Sequence, residues 1–365
     1  DVSVLGVFYA ERCRKREEFK MKKIFALIVM FFATIIALLF FEGLFRIINV
    51  NKEIQFLQVD QSGRKVGINE YDVDLGWKNQ PNFEKTKTWP YRQTLEKINS
   101  EGWRDKDYKF IKEDDVFRVA IIGCSRTYGY GVNVDETYTK VLERMLNEKY
   151  PQKFEVMNFG VNGYGLSQMA LNYQKNVKNY SPDIVILQFY LPTVYRASWT
   201  KIWGTQKPTY ILKNDQLSLS NSPVPKERFK SVERWFLERS FLYKFVKEKL
   251  SEIKEIQRFE FKEHVQSNKN LNKTCSMILQ QLNQQTAQNN SRLIVFTWGK
   301  HSKWLETILL EAKVEYFVLE KFSDLDYWKK KGNIENPLPT GHWSPIGNQF
   351  VAESIMNYLE ANVIK

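Results

Sequence analysis

The feature that most constrains this chain is residues 118–132, with the sequence RVAIIGCSRTYGYGV. Its apolar run, 119–122, stops at Gly123, and a glycine-rich loop leads to an acidic helix start at 135–137. An uninterrupted apolar run that ends in a small residue is typical of a parallel strand buried on both faces of a sheet. Because open α/β sheets bind ligands outside the carboxyl ends of such strands, we expect a functional site at this turn.

Ser125 is the residue that this turn presents. A serine on a tight strand-to-loop turn exposes its hydroxyl and brings its own backbone N–H toward the same point. It can thereby supply a nucleophile and one oxyanion donor together. The alternative is a serine that caps the turn or the next helix, and the turn alone does not separate the two.

Strand and helix patterns alternate from residue 118 onward. The predicted strands are 119–122, 154–159, 184–189, 293–297 and 315–319, and the predicted helices are 136–149, 166–179, 271–288, 302–312 and 345–359. This alternation predicts an α/β fold with a parallel sheet and helices on both faces.

A long insertion, residues 191–270, separates the third predicted strand from the fourth. It contains a predicted hairpin, 209–212 with 217–219, and charged helices over about 225–264. We expect the insertion to form a cap over the carboxyl ends of the strands, where caps commonly shape substrate access.

Residues 24–41 are eighteen residues without a charge, enough to cross about 27 Å of hydrocarbon as a helix. Lysines and arginines crowd the amino side of this stretch, and Glu42 opens the other side. The positive-inside rule then places residues 1–23 in the cytoplasm and the main domain outside it, in the periplasm or at the cell exterior. The alternative, a cleaved signal peptide, is disfavoured because bulky residues follow the apolar stretch.

The resulting organisation has four parts: a cytoplasmic segment (1–23), a transmembrane helix (24–41), an extracytoplasmic lead-in (42–117) and an α/β domain (118–365). Two tryptophan motifs, Leu75-Gly76-Trp77 and Gly102-Trp103-Arg104, lie in the lead-in. We interpret these tryptophans as packing the lead-in onto the main domain rather than as substrate contacts.

Charge and metal-binding residues exclude several functions. The net charge of +12 comes from lysines spread along the chain without a long basic block, so we expect no nucleic-acid partner. Three cysteines are too few and too scattered for a disulfide framework or a metal cluster. The three histidines, His264, His301 and His342, have no metal-ligand spacing, and we expect neither a metal nor a cofactor.

Four sequence blocks carry a resemblance to a known family: GCS at 123–125, NFGVNGYG at 158–165, FYLPT at 189–193 and GHWSPIG at 341–347. In this order and spacing, the chain resembles the SGNH/GDSL hydrolases, specifically a membrane-anchored bacterial branch with a leading Gly-Trp-Arg segment. The resemblance covers roughly residues 75–359. It implies a flavodoxin-like three-layer α/β/α fold.

The resemblance also implies roles for individual residues. Ser125 would be the nucleophile and His342 its general base, while the N–H groups of Ser125 and Gly160 would form the oxyanion hole. Thr193 stands in the block that normally supplies a third donor, the side chain of an asparagine. For His342 the alternative is a capping role at the start of the last helix.

The sequence departs from the family pattern at three points. Cys124 replaces an aspartate, and Pro192 and Thr193 stand where the asparagine is expected. The family's acid lies two or three residues before the histidine, where this chain has Thr340 and Pro339. A loss of orientation of the histidine can lower turnover by about 10⁴-fold, so activity requires a substitute.

Two kinds of substitute are open. A backbone carbonyl can orient the His342 ring, or a carboxylate from Asp324, Asp326 or Glu335 can fold back toward it. The sequence permits either.

The functional hypothesis is a membrane-anchored, extracytoplasmic serine esterase that acts on an acyl ester, for example an O-acetyl ester, of a glycan or lipid. It includes acyl transfer to an acceptor other than water. The expected partners are the lipid bilayer, through residues 24–41, and a membrane protein that delivers any acyl donor from the cytoplasm. The alternative is a catalytically degenerate module that binds polysaccharide or assists its modification and assembly.

The charge asymmetry around residues 24–41 predicts the topology of the chain. Protease added to intact spheroplasts is expected to digest the domain that follows Glu42, as followed by an antibody against a carboxyl-terminal tag. Digestion only after lysis of the spheroplasts would contradict this topology.

Overall fold

A computed structural model of the protein describes residues 2–48, 68–202, 205–225, 239–240, 242–243, 246, 268–337 and 341–364. Nearly all of the predicted charged helices at 225–264 lie outside these residues, as do Pro339 and Thr340.

The strands are β1 (Asn69–Asp72), β2 (Gly76–Asn79), β3 (Glu84–Thr88), β4 (Gln93–Lys97), β5 (Val116–Gly123), β6 (Lys153–Gly160), β7 (Ile184–Gln188), β8 (Lys201–Ile202), β9 (Thr205–Gln206), β10 (Thr209–Lys213), β11 (Gln216–Ser220), β12 (Arg292–Thr297) and β13 (Glu315–Val318). The α-helices are α1 (Val2–Ile48), α2 (Ser125–Tyr128), α3 (Tyr138–Lys149), α4 (Leu166–Lys175), α5 (Leu191–Ala197), α6 (Lys269–Gln288), α7 (Ser302–Ala312), α8 (Leu325–Lys331) and α9 (Pro345–Asn362).

The central sheet has five parallel strands in the order β13-β12-β7-β5-β6. The chain enters at β5, adds β6 on one side, and returns to place β7 on the other side of β5. This is the flavodoxin-like order, in which the direction of winding reverses at the first strand. The predicted flavodoxin-like α/β fold is therefore confirmed, and Ser125 follows the strand at which the reversal occurs.

Alternate residues of β5 contribute to two separate cores. Val119 and Ile121 pack in the layer that contains α3 and α9, whereas Ala120 and Ile122 pack in the layer that contains α4, α6 and α7. All four side chains are fully buried. Burial on both faces explains why this strand is a continuous apolar run rather than an alternating one.

Outside the insertion, every strand and helix predicted for the α/β domain is present, with ends shifted by a few residues. The predicted helix at 166–179 ends at Lys175, because a short 3₁₀ turn, Val177–Tyr180, follows it. The sequence patterns did not predict the short helices α2, α5 and α8.

The lead-in forms two antiparallel hairpins, β1 with β2 and β3 with β4. Trp77 and Trp103 are both buried in the core that also contains α4. The Trp77 Nε1 donates to the Asn162 carbonyl at 2.9 Å, and the Trp103 ring packs edge-on against Phe159. The interpretation that these tryptophans pack the lead-in onto the domain is confirmed.

Arg104 connects the lead-in to the loop that follows α2. Its side chain is 1% exposed, and its guanidinium donates to the carbonyls of Tyr128, Gly129, Val132 and Leu95 at 2.6 to 3.0 Å. A buried cation is tolerated only when its donors are satisfied. Here each of the two terminal nitrogens has two carbonyl partners, three of them in the loop, so the guanidinium and the loop hold each other in place.

The described part of the insertion contains the predicted hairpin. β10 and β11 pair across Asn214 and Asp215, both of which have positive φ angles. Val194 on α5 and Thr209 on β10 are fully buried, so residues 191–225 contribute to the core of the domain. The cap over the strand ends stays a prediction.

α1 contains an apolar stretch, Phe19–Leu44, of 26 residues with a mean hydropathy of 3.0. Its apolar side chains are exposed. Length and hydropathy meet the criteria for a membrane span, and a signal sequence meets the same criteria.

We expect Arg104→Gln to lower the free energy of unfolding by about 3 kcal/mol or more, since several buried carbonyls lose their donor and each costs about 1–3 kcal/mol. Tryptophan fluorescence during urea unfolding of the detergent-solubilised chain measures this change, because all ten tryptophans lie in or after the lead-in. Lys97→Gln is the control: its pair with Glu84, at 3.5 Å, is exposed, and we expect a change within about 0.5 kcal/mol. Equal stabilities of the two variants would contradict the role given to Arg104.

Candidate active site

The helical turn α2 lies directly on the ends of β5 and β6. Both strands end in glycine, at Gly123 and Gly160. A Cβ atom at Gly123 would overlap the Thr127 side chain, and one at Gly160 would overlap the backbone nitrogen of Tyr128. The absence of side chains at these two positions therefore allows α2, which begins with Ser125, to pack against the sheet.

Ser125 and His342 meet at this end of the sheet. The Ser125 Oγ and the His342 Nε2 are 2.8 Å apart, although the residues are 217 positions apart in the chain. Both side chains are half-buried. This is the geometry in which an imidazole can take the proton of a serine hydroxyl.

The backbone around His342 is fixed by the segment that contains Glu335. Asn336 N–H donates to the His342 carbonyl at 2.7 Å, and Ser344 N–H donates to the Ile334 carbonyl at 2.9 Å. Ser344 also caps α9 by accepting a hydrogen bond from the Gly347 N–H at 3.1 Å. The helix cap is therefore a serine, and the alternative capping role for His342 is wrong.

An aromatic ring from the loop after α2 packs beside the imidazole. The ring centroids of Tyr130 and His342 are 5.1 Å apart. Lys87 on β3 holds this tyrosine, because its Nζ donates to the Tyr130 hydroxyl at 2.9 Å and lies 4.2 Å from the ring centroid. The lead-in thus helps to hold the tyrosine that packs beside His342.

Two predicted oxyanion donors are engaged elsewhere. The Gly160 N–H donates to the Asn158 Oδ1 at 2.9 Å. The Thr193 hydroxyl is fully buried, donates to the Tyr190 carbonyl at 2.7 Å, and accepts from the Tyr190 N–H at 3.1 Å. Both predictions are corrected: Gly160 bonds within its own strand end, and Thr193 caps α5.

A different glycine, Gly163, presents an N–H at the end of β6. The Trp77 indole binds the carbonyl of Asn162, and because a trans peptide is planar, the Gly163 N–H points to the opposite side. Gly163 has a φ of 82°, and Val161 N–H donates to the Gly123 carbonyl at 3.2 Å, which ties this turn to the end of β5. Within the described residues, neither the Gly163 N–H nor the Ser125 N–H donates to a protein acceptor.

Each of the three carboxylates considered as a substitute acid has another partner. Asp324 caps α8 by accepting from the N–H groups of Asp326 and Tyr327. Asp326 forms an exposed ion pair with Lys329 at 3.1 Å. Glu335 pairs with Arg126 at 2.6 Å. The option that a carboxylate folds back to the imidazole therefore takes another form: the Glu335 side chain is linked through Arg126 to the segment that carries His342.

Cys124, which replaces the family's aspartate, is fully buried. Its Sγ lies 3.0 Å from the Tyr190 hydroxyl and 3.4 Å from the Gln188 Oε1, which also accepts the Cys124 N–H. Burial and the neighbouring Cys124 raise the pKa of Tyr190, so its phenol stays protonated. Cys124 is consequently a packed residue behind the nucleophile.

Two buried basic side chains, Arg196 and Lys207, interact with each other, and Arg196 also lies near this buried group. Arg196 interacts electrostatically with Tyr190 and Cys124, and burial together with Arg196 lowers the pKa of Lys207 to about 7. The fully buried Lys207 Nζ donates to the Pro208 carbonyl at 3.1 Å.

Aromatic rings also lie on the Cys124 side of the turn. Tyr190 and Trp298 stack with centroids 4.7 Å apart, and Trp298 contacts Trp343 at 4.8 Å. Tyr190 and Trp298 are half-buried, so part of this surface is open to solvent.

Among the described residues, no group of three or more histidine, cysteine, aspartate or glutamate side chains could hold a metal ion.

No family model matches the sequence, and no curated protein matches it. Solved structures with a similar fold include the acetyl xylan esterase AlAXEase, with 13% identity, a TM-score of 0.39, and coverage of 67% of this chain and 100% of that one. The esterase EstA from Pseudoalteromonas sp. has 9% identity, a TM-score of 0.39, and coverage of 67% and 97%. A lipolytic protein of the G-D-S-L family from Desulfitobacterium hafniense DCB-2 has 12% identity, a TM-score of 0.36, and coverage of 66% and 97%.

Proposed function

We propose that this chain is an ester hydrolase in which Ser125 is the nucleophile and His342 its general base. The observation that carries the proposal is the 2.8 Å contact between the Ser125 Oγ and the His342 Nε2 at the carboxyl end of β5. The position supports it as well, since this is the strand at which the winding of the sheet reverses.

In the acylation half, the Ser125 Oγ attacks the ester carbonyl while the His342 Nε2 takes the hydroxyl proton. The carbonyl oxygen becomes negative and is stabilised by the N–H groups of Ser125 and Gly163. The bond to the leaving alkoxide then breaks, and the imidazolium returns its proton to that oxygen. The products are an acyl-serine and a free alcohol.

In the second half, a water molecule attacks the acyl-serine, and His342 takes its proton and passes it to the Ser125 Oγ. The products are a carboxylic acid and the original serine. A sugar hydroxyl in place of water would make the same site an acyltransferase, since the proton transfers are identical.

The rings around the site support a glycan ester as the substrate. Tyr190 and Trp298 form a stacked, half-buried surface on one side, and Tyr130 lies against His342 on the other. The apolar face of a sugar ring packs against such rings while its hydroxyls stay hydrated. We propose a small acyl group, such as acetyl, on that sugar.

The location that we propose is the outer face of a membrane, with α1 as the anchor. The length and hydropathy of α1 and the lysines and arginines on its amino side support this arrangement. The partners would be the bilayer, an acylated glycan and a membrane protein that supplies any acyl donor.

The second candidate function is a polysaccharide-binding module that has lost catalysis. It is favoured by the two donors that Gly160 and Thr193 fail to supply and by the missing acid before His342. The loss of one oxyanion donor typically costs about 100- to 1000-fold in rate.

A serine-directed fluorophosphonate separates the two functions. We expect it to label the wild-type chain at Ser125, and we expect Ser125→Ala and His342→Ala each to abolish labelling while changing stability by less than about 1 kcal/mol. The double variant should lose no more activity than either single variant, because nucleophile and base act as a unit. A folded wild-type chain that the fluorophosphonate does not label, but that binds polysaccharide, would support the polysaccharide-binding module instead.

A carboxylate introduced at position 340 tests whether the catalytic rate is limited by the missing acid before His342. Thr340→Asp places a carboxylate where the family resemblance expects one, and we expect turnover of a small acyl ester to rise about tenfold or more, because a carboxylate stabilises the imidazolium that forms. Thr340→Asn is the matched control, with a similar size but no charge, and should leave turnover near the wild-type value. An equal rise in both variants would contradict the electrostatic explanation.

A further inference from the structure

Arg126 follows the proposed nucleophile directly and reaches the segment that carries the proposed base. Its Nη2 donates to the carbonyl of Gly341, the residue before His342, at 3.0 Å. The same nitrogen donates to the Glu335 Oε1 at 2.6 Å. The Arg126 side chain therefore contacts both Glu335 and the residue before His342, which lie on two segments that pair with each other through the Glu335–Trp343 bridge.

Three aromatic rings surround the guanidinium of Arg126. Its central carbon lies 5.1 Å from the ring centroid of Trp343, 5.7 Å from that of Trp298 and 6.0 Å from that of Tyr190. The side chain is only 13% exposed. Cation–π attraction and the planar shape of the guanidinium fix its direction, so its hydrogen bonds cost little rotational freedom.

The backbone of His342 is thus held from two directions. Arg126 binds the carbonyl before it, and Asn336 N–H binds the carbonyl of His342 itself at 2.7 Å. Glu335, the partner of Arg126, forms an antiparallel bridge with Trp343, the residue after His342. These bonds fix the position of the histidine main chain relative to α2, which carries Ser125.

We propose that Arg126 is a positioning residue that keeps the His342 imidazole in line with the Ser125 hydroxyl, with Glu335 as its anchor. The inference rests on the proposed esterase function. Arg126 acts on the main chain before His342, so it supplies the positional part of what an orienting acid does. The positioning depends on the cation, because a neutral side chain of the same length keeps the packing and loses the bond to Gly341.

The test uses the full chain in detergent and compares Arg126→Met, which keeps the apolar stem, with wild type. We expect kcat for 4-nitrophenyl acetate, and the rate of fluorophosphonate labelling at Ser125, to fall about 10- to 100-fold, as expected for a displacement of a catalytic group by about 1 Å. KM for this small ester, which has no sugar ring, should change little, because the variant mainly removes the bond to the Gly341 carbonyl. Millimolar guanidinium should partly restore kcat in Arg126→Ala by filling the space between the three rings.

Arg292→Met is the matched control. Arg292 begins β12 at the opposite end of the sheet and forms an equally close pair with Glu315, at 2.6 and 2.7 Å. We expect its kcat and labelling rate to equal those of wild type. Glu335→Gln, at a half-exposed carboxylate, should lower kcat about threefold, because a charge-assisted hydrogen bond becomes a neutral one; this variant decides the matter if Arg126→Met fails to fold.

The outcomes separate the two proposals. A wild-type chain that neither labels nor turns over contradicts the esterase function itself. A reactive wild type, with Arg126→Met or Glu335→Gln equal to it in kcat and labelling rate, contradicts only the positioning role. A fall in kcat that guanidinium does not relieve in a folded Arg126→Ala also contradicts that role.

Discussion

The rest of the site depends on the close packing of α2 against the ends of two strands. The turn packs so closely on Gly123 and Gly160 that neither position has room for a side chain. Asn158 on β6 also binds the turn, because its Nδ2 donates to the Thr127 carbonyl at 2.8 Å. Arg104 then binds the carbonyls of the residues that follow. Ser125 is therefore held by rigid elements on three sides, which is the condition for placing a reacting hydroxyl within a fraction of an ångström.

The proposed base reaches this turn by a separate route. The loop before α9 pairs with the segment around Glu335 and is connected to α2 by Arg126. Ser125 and His342 thus lie far apart in the sequence, but the hydrogen bonds of Arg126 connect the two segments that carry them. This arrangement explains how an imidazole can be positioned in a chain whose sequence has no carboxylate at positions 339 and 340.

The sequence predicted the sheet well, because burial on both faces of a parallel strand leaves a local signature that needs no tertiary knowledge. The pairing of Ser125 with His342 followed from sequence blocks, and the structure brings the two together. The sequence indicated Gly160 as an oxyanion donor, and the proposed donor Gly163 could not be predicted, since the direction of its N–H depends on how Trp77, 85 positions from Asn162, holds one peptide. Arg126 was missed because an arginine after a serine carries no signal until the loop that it binds is in place.

Ser125, His342 and the N–H groups of Ser125 and Gly163 are proposed to form one reaction centre. A crystal structure of the chain after reaction with a methylphosphonate tests it most directly. We expect a phosphorus–Oγ bond at Ser125, a phosphoryl oxygen about 2.7–3.1 Å from both N–H groups, and the His342 Nε2 beside the other oxygen that stays on phosphorus. A phosphoryl oxygen that faces solvent, or a Gly163 N–H directed away from it, would contradict the account.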